Sequence, residues 1–467
     1  MRASIFSLLF GTALFVAGCG GSDKSLSLAD DNPPADSANP GDAGAQPGPV
    51  GGLDDTAPDA GLPGQDPLAS DLPGADLPAD GIPEVPGDAT PDAPDVDLPG
   101  DDVNLPPAAD ALPTGAVLPT PWGANQPLFG SSLSVETFPL HRVVSGGPPK
   151  DGIPALNNPP FVAASTPPSW LGEDDLVLGV VVGGVARAYP HNIGWWHEIV
   201  NDRVGDQAVC VTFCPLTGTG LVFDANDENG NQFELGVSGQ LYNNNLIMYD
   251  RRDNSTLYPQ IYSTAVLGPR TGESLSLMPV VETTWATWKR LHPDTEVIAN
   301  GTKSSSQYTR YPYGDYRINN SYLLFALNPP LSDNPNAYAN IFGAKDGMLG
   351  VRLDGHARAY LFDEMGDQAA INDQVGGVDI VVLWDRASSL AIPYASEVDG
   401  QSLSFEIDDS TGFPFSLVDR ETGSLWNARG EAIDGPLAGA QLTQVPAHNS
   451  FWFAWVSFWR DTDVWQM

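Results

Sequence analysis

The sequence predicts a β-rich α+β protein. It reads as an internally duplicated, bilobal domain of antiparallel strands with short helices, preceded by a disordered linker. Three observations lead there. Short apolar runs recur between Gly and Asn turns along the C-terminal part of the 467-residue chain. An ordered set of motifs occurs twice at one spacing. Residues 20–119 contain no aromatic side chain, so they lack the apolar surface needed to offset chain ordering.

Residues 1–19 read as a lipoprotein signal peptide. Arg2 opens it, Ile5 to Val16 is an apolar run too short to span as a mature helix, and Val16-Ala-Gly-Cys19 resembles a lipobox. Cys19 is the expected lipidation site. Acyl chains on it would anchor the protein to the membrane, at about 0.8 kcal/mol per buried CH₂. No Asp follows Cys19 directly, which points to the outer membrane of the bacterial envelope.

Residues 20–119 are built from Asp, Pro, Ala and Gly, with Lys24 as their one base. They supply about half of the net charge of −38. Proline and self-repulsion favour an extended tether. The rest is acidic too, and no basic patch is visible. A nucleic-acid partner is therefore not expected.

The folded part divides at the duplication, into a first repeat over 120–340 and a second, degenerate one over 341–467. Leu178-Gly-Val180 returns as Leu349-Gly-Val351, Ala186-Arg-Ala-Tyr189 as Ala357-Arg-Ala-Tyr360, and Asn201-Asp202 as Asn372-Asp373. Later, Trp285 and Trp288 match Trp452 and Trp455. Val177 to Tyr189 predicts a hairpin around Gly183-Gly184, with Asp354-Gly355 at the same turn in the second copy. Ile193 to Val200 is expected as a short helix. Val209 to Cys214 alternates as a strand, with Cys210, Thr212 and Cys214 on one face. Thr283 to Leu291 and Ser450 to Phe458 are expected as amphipathic helices. Matched features such as Arg187/Arg358 are expected to hold the fold, and Asp202 is expected at a turn.

The chemistry concentrates in the first repeat. Cys214 ends a strand before Pro215, where a thiolate could act as nucleophile, redox group or metal ligand. His197 lies nearby in sequence and could lower the thiol pKa, take its proton, or ligate a soft metal with it. His191 is a further metal candidate, and the ion would be copper or zinc. Cys210 reads as core. Tyr242, Asn243 and Asn245 form a polar cluster suited to lining a ligand pocket. The second copy carries Phe362, Gln368, Val381 and Asp385 at the positions of His191, His197, Cys210 and Cys214.

At these motifs the chain resembles the DUF3179 domain family. The likeness runs through Trp196-His-Glu-Ile-Val-Asn-Asp202, Cys214-Pro-Leu-Thr-Gly-Thr219 and Ser238 to Arg251, and on to Asp419-Arg-Glu-Thr-Gly-Ser-Leu-Trp426. The resemblance implies no established activity. The family usually carries a second Cys where Thr217 stands, which weakens a dithiol reading. It usually carries an aliphatic residue where His191 stands, which marks His191 as a local substitution. Two functions follow as expectations. One is a surface lipoprotein with a Cys/His site for thiol redox or soft-metal binding. The other is a non-catalytic envelope binding module displayed on a flexible stalk.

Overall fold

The computed structural model describes residues 133–408 and 412–466. The expected signal peptide with Cys19, and the expected tether, lie outside them. The described body is β-rich and built twice on one plan. In the first repeat, strands Leu176–Val182 and Val185–Pro190 form the expected hairpin. Its turn places Gly183 and Gly184 at φ 56° and 82°. Two positive φ values in succession match the right-handed twist of the flanking strands, and glycine adopts them without Cβ strain. Val281–Thr284 pairs on one side of the hairpin. Glu296–Ile298 pairs on the other side, in parallel. The second repeat has the same arrangement. Gly347–Leu353 and His356–Leu361 are flanked by Ala447–Phe451 and, in parallel, by Asp463–Val464.

A second sheet follows in each copy. Ile199–Val204, Gln207–Cys214 and Thr219–Asp224 form an antiparallel run in the first repeat. Gln368–Val375, Val378–Asp385 and Leu390–Ala395 are their counterparts. A third sheet, around Leu235–Tyr242 and Asn245–Asp250, corresponds to one around Phe405–Asp408 and Ser416–Asp419. The same side chains fasten each copy. Asn201 Oδ1 accepts from Leu235 N at 3.0 Å, and Asn372 Oδ1 from Phe405 N at 2.7 Å. Trp288 Nε1 donates to Thr295 Oγ1, and Trp455 Nε1 to Thr462 Oγ1, both at 2.9 Å. Each of these indoles packs directly on a strand glycine, Gly179 or Gly350, where a Cβ would come within 2.3 or 2.2 Å of the ring.

The copies also cross over each other. Thr284 N and the Thr283 hydroxyl donate to Ser388 O, and Phe451 N donates to Thr217 O. Each repeat's flanking strand therefore docks on the loop after the other's second sheet strand. For the first repeat that loop follows Cys214.

Three boundaries differ from expectation. The first helix, α1, spans His191–His197, not Ile193 to Val200. Glu198 turns out of it at φ 57° and Ile199 enters a strand. Helix α2 spans Trp285–Leu291, since Thr283 and Thr284 belong to the preceding strand. There Thr284 caps α2 by accepting from Thr287 N. Between α2 and the second repeat lies the one-turn helix α3, Ser305–Tyr308. The last helix, α4, spans Trp452–Phe458, with Ser450 and Phe451 in the strand Ala447–Phe451. Asp202 sits on a strand and not at a turn. The alternation along Gln207–Cys214 is as read from the sequence. Cys210 and Cys214 pack in one apolar cluster, while Val209, Val211 and Phe213 pack in another. Among the described residues, no helix is long and apolar enough to cross a membrane.

Candidate functional site

Cys214 is the last residue of its strand and is 1 % exposed. Its Sγ–H donates to Asn244 O at 3.4 Å. Burial pushes the thiol up to about 11, and charge on Glu198 adds to the rise. Hydrogen bonds from Thr217 and from the Leu246 backbone oppose it. The net result is a neutral thiol at physiological pH, the condition of an inert cysteine. Cys210 is fully buried, and desolvation raises its thiol further still. Both cysteines are free.

His197 ends α1, fully buried. Its Nδ1 lies 2.8 Å from Pro154 O, and its Nε2 lies 2.9 Å from the Tyr308 hydroxyl. The carbonyl can only accept, so Nδ1 carries the proton and Nε2 accepts from Tyr308. Burial lowers the imidazole pKa, and Lys303 adds to this. A neutral ring with both nitrogens engaged is a brace between α1, the Pro154 segment and α3. It has no lone pair left for a metal or for the Cys214 proton.

His191 opens α1 and stacks on Phe213, with centroids 4.1 Å apart. Its Nε2 lies 3.6 Å from Glu282 Oε2, and neither atom has a hydrogen-bond partner. Among the described residues, no group of three or more His, Cys, Asp or Glu converges to hold a metal ion. The donor set therefore does not fit the expected copper or zinc centre.

Among Tyr242, Asn243 and Asn245, most side-chain polar atoms of the two asparagines are spent on the protein, while Asn243 Nδ2 is buried with no hydrogen-bond partner among the described residues. Asn243 and Asn244 form the turn of the hairpin Leu235–Tyr242/Asn245–Asp250, at φ 47° and 65°. Asn243 Oδ1 accepts from Asn328 N, and Asn244 clasps the Phe325 backbone on both sides. Asn245 joins a buried network with Thr217, Thr219 and Gln260. Tyr242 lies in the apolar cluster against Phe138 and Phe458. These amides hold loops down around Cys214.

The group that sequence reasoning passed over is Glu198. On a continuing helix its side chain would point away. The chain instead turns at φ 57°, ψ −33°, a backbone state that non-glycine residues rarely hold. Its N–H donates to Gly194 O at 3.0 Å and its carbonyl accepts from Phe213 N at 2.7 Å, so α1 and the adjacent strand clamp the turn. The carboxyl is buried, and desolvation alone raises it to about 8. It lies within electrostatic reach of Cys214 and Tyr313. Tyr311 and Tyr316 belong to the same cluster, and their hydroxyls donate to Pro215 O and Leu216 O, both at 3.0 Å. The only sequence signal for this was the run of tyrosines from 308 to 316, which has no counterpart in the second repeat.

The second copy shows what these backbone positions do without the thiol. There Gln368 Nε2 donates to Asp385 Oδ1 at 2.7 Å, and Ser388 N donates to Asp385 Oδ2 at 3.0 Å. The equivalents of His197 and Cys214 thus close on each other as an ordinary polar pair. The void beside Glu198 and His191 measures only about 10 Å³, which admits a water at most. A much larger cleft, about 490 Å³, lies at the junction of the repeats. Its walls come from the hairpin strand and α2 of the first copy, and from residues 392–394 and 428–444 of the second.

These features define a class: a duplicated, β-rich α+β protein with its thiol and acid confined to one copy and a cleft where the copies meet. The chain belongs to the family of proteins of unknown function DUF3179, whose model matches residues 150–462. No curated protein and no solved structure matches it.

Proposed function

We propose that this protein is a non-catalytic binding module of the bacterial cell envelope. Cys19 carries the lipid anchor, in the outer membrane, and the acidic proline-rich segment spaces the folded body from the bilayer. The cleft of about 490 Å³ carries this reading, because it falls in the size range of small-molecule sites. The Cys214 region argues the same way by its neutrality. Its thiol is buried and protonated, and its histidine is fully hydrogen-bonded.

Two measurements test the reading. Cys19→Ser is expected to move the protein out of the membrane fraction, or to leave an unprocessed precursor. Equal membrane retention with normal processing would end the lipoprotein half. The purified body is expected to gain melting temperature with some members of an unbiased small-molecule collection, and to lose that gain in Val181→Trp, which fills the cleft mouth. A complete screen without such a ligand would end the binding half.

A second reading, thiol chemistry or a soft ion at Cys214 with His197 and His191, is favoured by the strained turn at Glu198. It requires a reactive sulfur. With the thiol near 11, only about one molecule in ten thousand is thiolate at pH 7. Iodoacetamide at pH 7.5 is therefore expected to label neither Cys210 nor Cys214 until the protein is unfolded. Rapid labelling of Cys214 in the folded protein, or stoichiometric zinc or copper lost in Cys214→Ser, would replace the binding-module reading with this one.

A further inference from the structure

The inner part of the junction cleft is apolar. Val281, Ile392 and Leu442 are buried there, and the Tyr394 hydroxyl is spent on Ala428 O. The rim is polar. Gln441 spends its amide N–H on Arg429 O and Leu442 O, and Gln444 spends its own on Val280 O. Among the described residues, neither side-chain carbonyl has a protein donor. Glu431 Oε2 takes Arg429 and Asn427, which leaves Oε1 as a third such acceptor.

Charge at the rim is closed. Arg429 Nη2 lies 2.9 Å from Glu431 Oε2, and its Nη1 donates to Leu291 O. No cation is left over for an anionic ligand, and the chain as a whole repels anions with a net charge of −38. No uncompensated carboxylate is left over for a cationic one. His292 lies tilted against Trp288, with ring centroids 4.2 Å apart, and among the described residues neither of its ring nitrogens has a hydrogen-bond partner. Burial, with Arg429 adding, lowers it to about 4, so it presents one donor and one acceptor and no charge.

An apolar floor under a rim of unused acceptors matches a ring with one C–H face and several hydroxyl donors. We infer that the junction cleft takes a neutral polyhydroxylated ring, a saccharide unit, with Gln441, Gln444 and His292 reading its hydroxyls. This rests on the binding-module reading and narrows it to one ligand class.

The test uses isothermal titration of the purified body with glucose, N-acetylglucosamine and maltose. Glucuronic acid, glucosamine and indole serve as the anionic, cationic and apolar counterparts. At least one neutral sugar is expected to bind, with the charged sugars at least about fivefold weaker. Gln441→Ala and Gln444→Ala should each weaken binding about five- to tenfold, as for one lost hydrogen bond. Val181→Trp, at a position 48 % exposed and so tolerant of bulk, should abolish it without lowering the melting temperature. Binding of none of the neutral sugars, or binding indifferent to all three variants, overturns the inference. If glucosamine, glucuronic acid or indole alone binds and is lost in Val181→Trp, the neutral-saccharide inference falls while the module stands. If the unbiased screen is also empty, the module falls with it.

Discussion

Glu198→Gln is expected to stabilise the protein at alkaline pH and leave it nearly unchanged at acid pH. In the folded chain the Glu198 carboxyl keeps its proton up to about pH 8, against 4.5 ordinarily, because burial penalises its charged form. Between those two values the folded state binds one proton that the unfolded state has released. Stability then falls as pH rises, by about 1.4 kcal/mol per unit. The stabilising contribution is whole below about pH 4.5 and lost as pH passes about 8. Glutamine has no proton to lose, so its contribution has no slope. Urea unfolding of both proteins at pH 5 and pH 8.5 isolates the effect, since other titrating groups cancel in the difference. The variant should gain about 2–4 kcal/mol on the wild type between the two conditions. Parallel behaviour at both values would mean that the carboxyl is solvated and ionised in the folded state.

Much of this architecture was legible in the sequence, and the reason is local repetition. The hairpin at Gly183-Gly184 and its counterpart at Asp354-Gly355 needed only turn chemistry. The two faces of Gln207–Cys214 needed only the period of two. The site was less legible because distant contacts decide it. His197 beside a cysteine motif suggested a catalytic pair, but Tyr308, 111 residues onward, takes its Nε2. The asparagines at 243–245 suggested a pocket, but segment 325–328 and Thr217 take most of their side-chain polar atoms, Asn243 Nδ2 excepted. Glu198 was hidden by one residue of helix length: had α1 run on, the carboxyl would have faced elsewhere. The cleft was beyond reach, since its two walls are at least 100 residues apart in the chain and meet only through the crossing of the repeats.

Asp202→Ala is expected to destabilise the first repeat by about 3–4 kcal/mol, and Asp373→Ala the second by about 1–2 kcal/mol. The two aspartates hold the same position. Asp202 Oδ2 accepts from Arg187 Nη1 at 2.8 Å and from the Tyr189 hydroxyl at 2.7 Å. Asp373 accepts from Arg358 Nε and Nη2, both at 3.0 Å, and from the Tyr360 hydroxyl at 2.8 Å. Burial sets them apart. The Arg187 and Asp202 side chains are 18 % and 5 % exposed, against 26 % and 12 % for Arg358 and Asp373. Removing a carboxylate strands its guanidinium and phenol, and water relieves the more exposed pair more easily. Arg187 keeps Glu296 at 3.2 Å and Arg203 O at 2.7 Å, which limits the loss. Urea midpoints at constant slope measure both variants. Equal losses, or a loss below about 1 kcal/mol for Asp202→Ala, would show that the triad is a solvated surface pair. A loss of the expected size carries further, because Asp202 lies on the strand Ile199–Val204, which leads directly out of the Glu198 turn. Loosening that strand weakens its pairing with Gln207–Cys214, whose Phe213 N–H is one of the two clamps on the strained residue. The Asp202→Ala protein should therefore also lose part of the stability slope with pH that Glu198 produces, whereas Asp373→Ala should keep all of it.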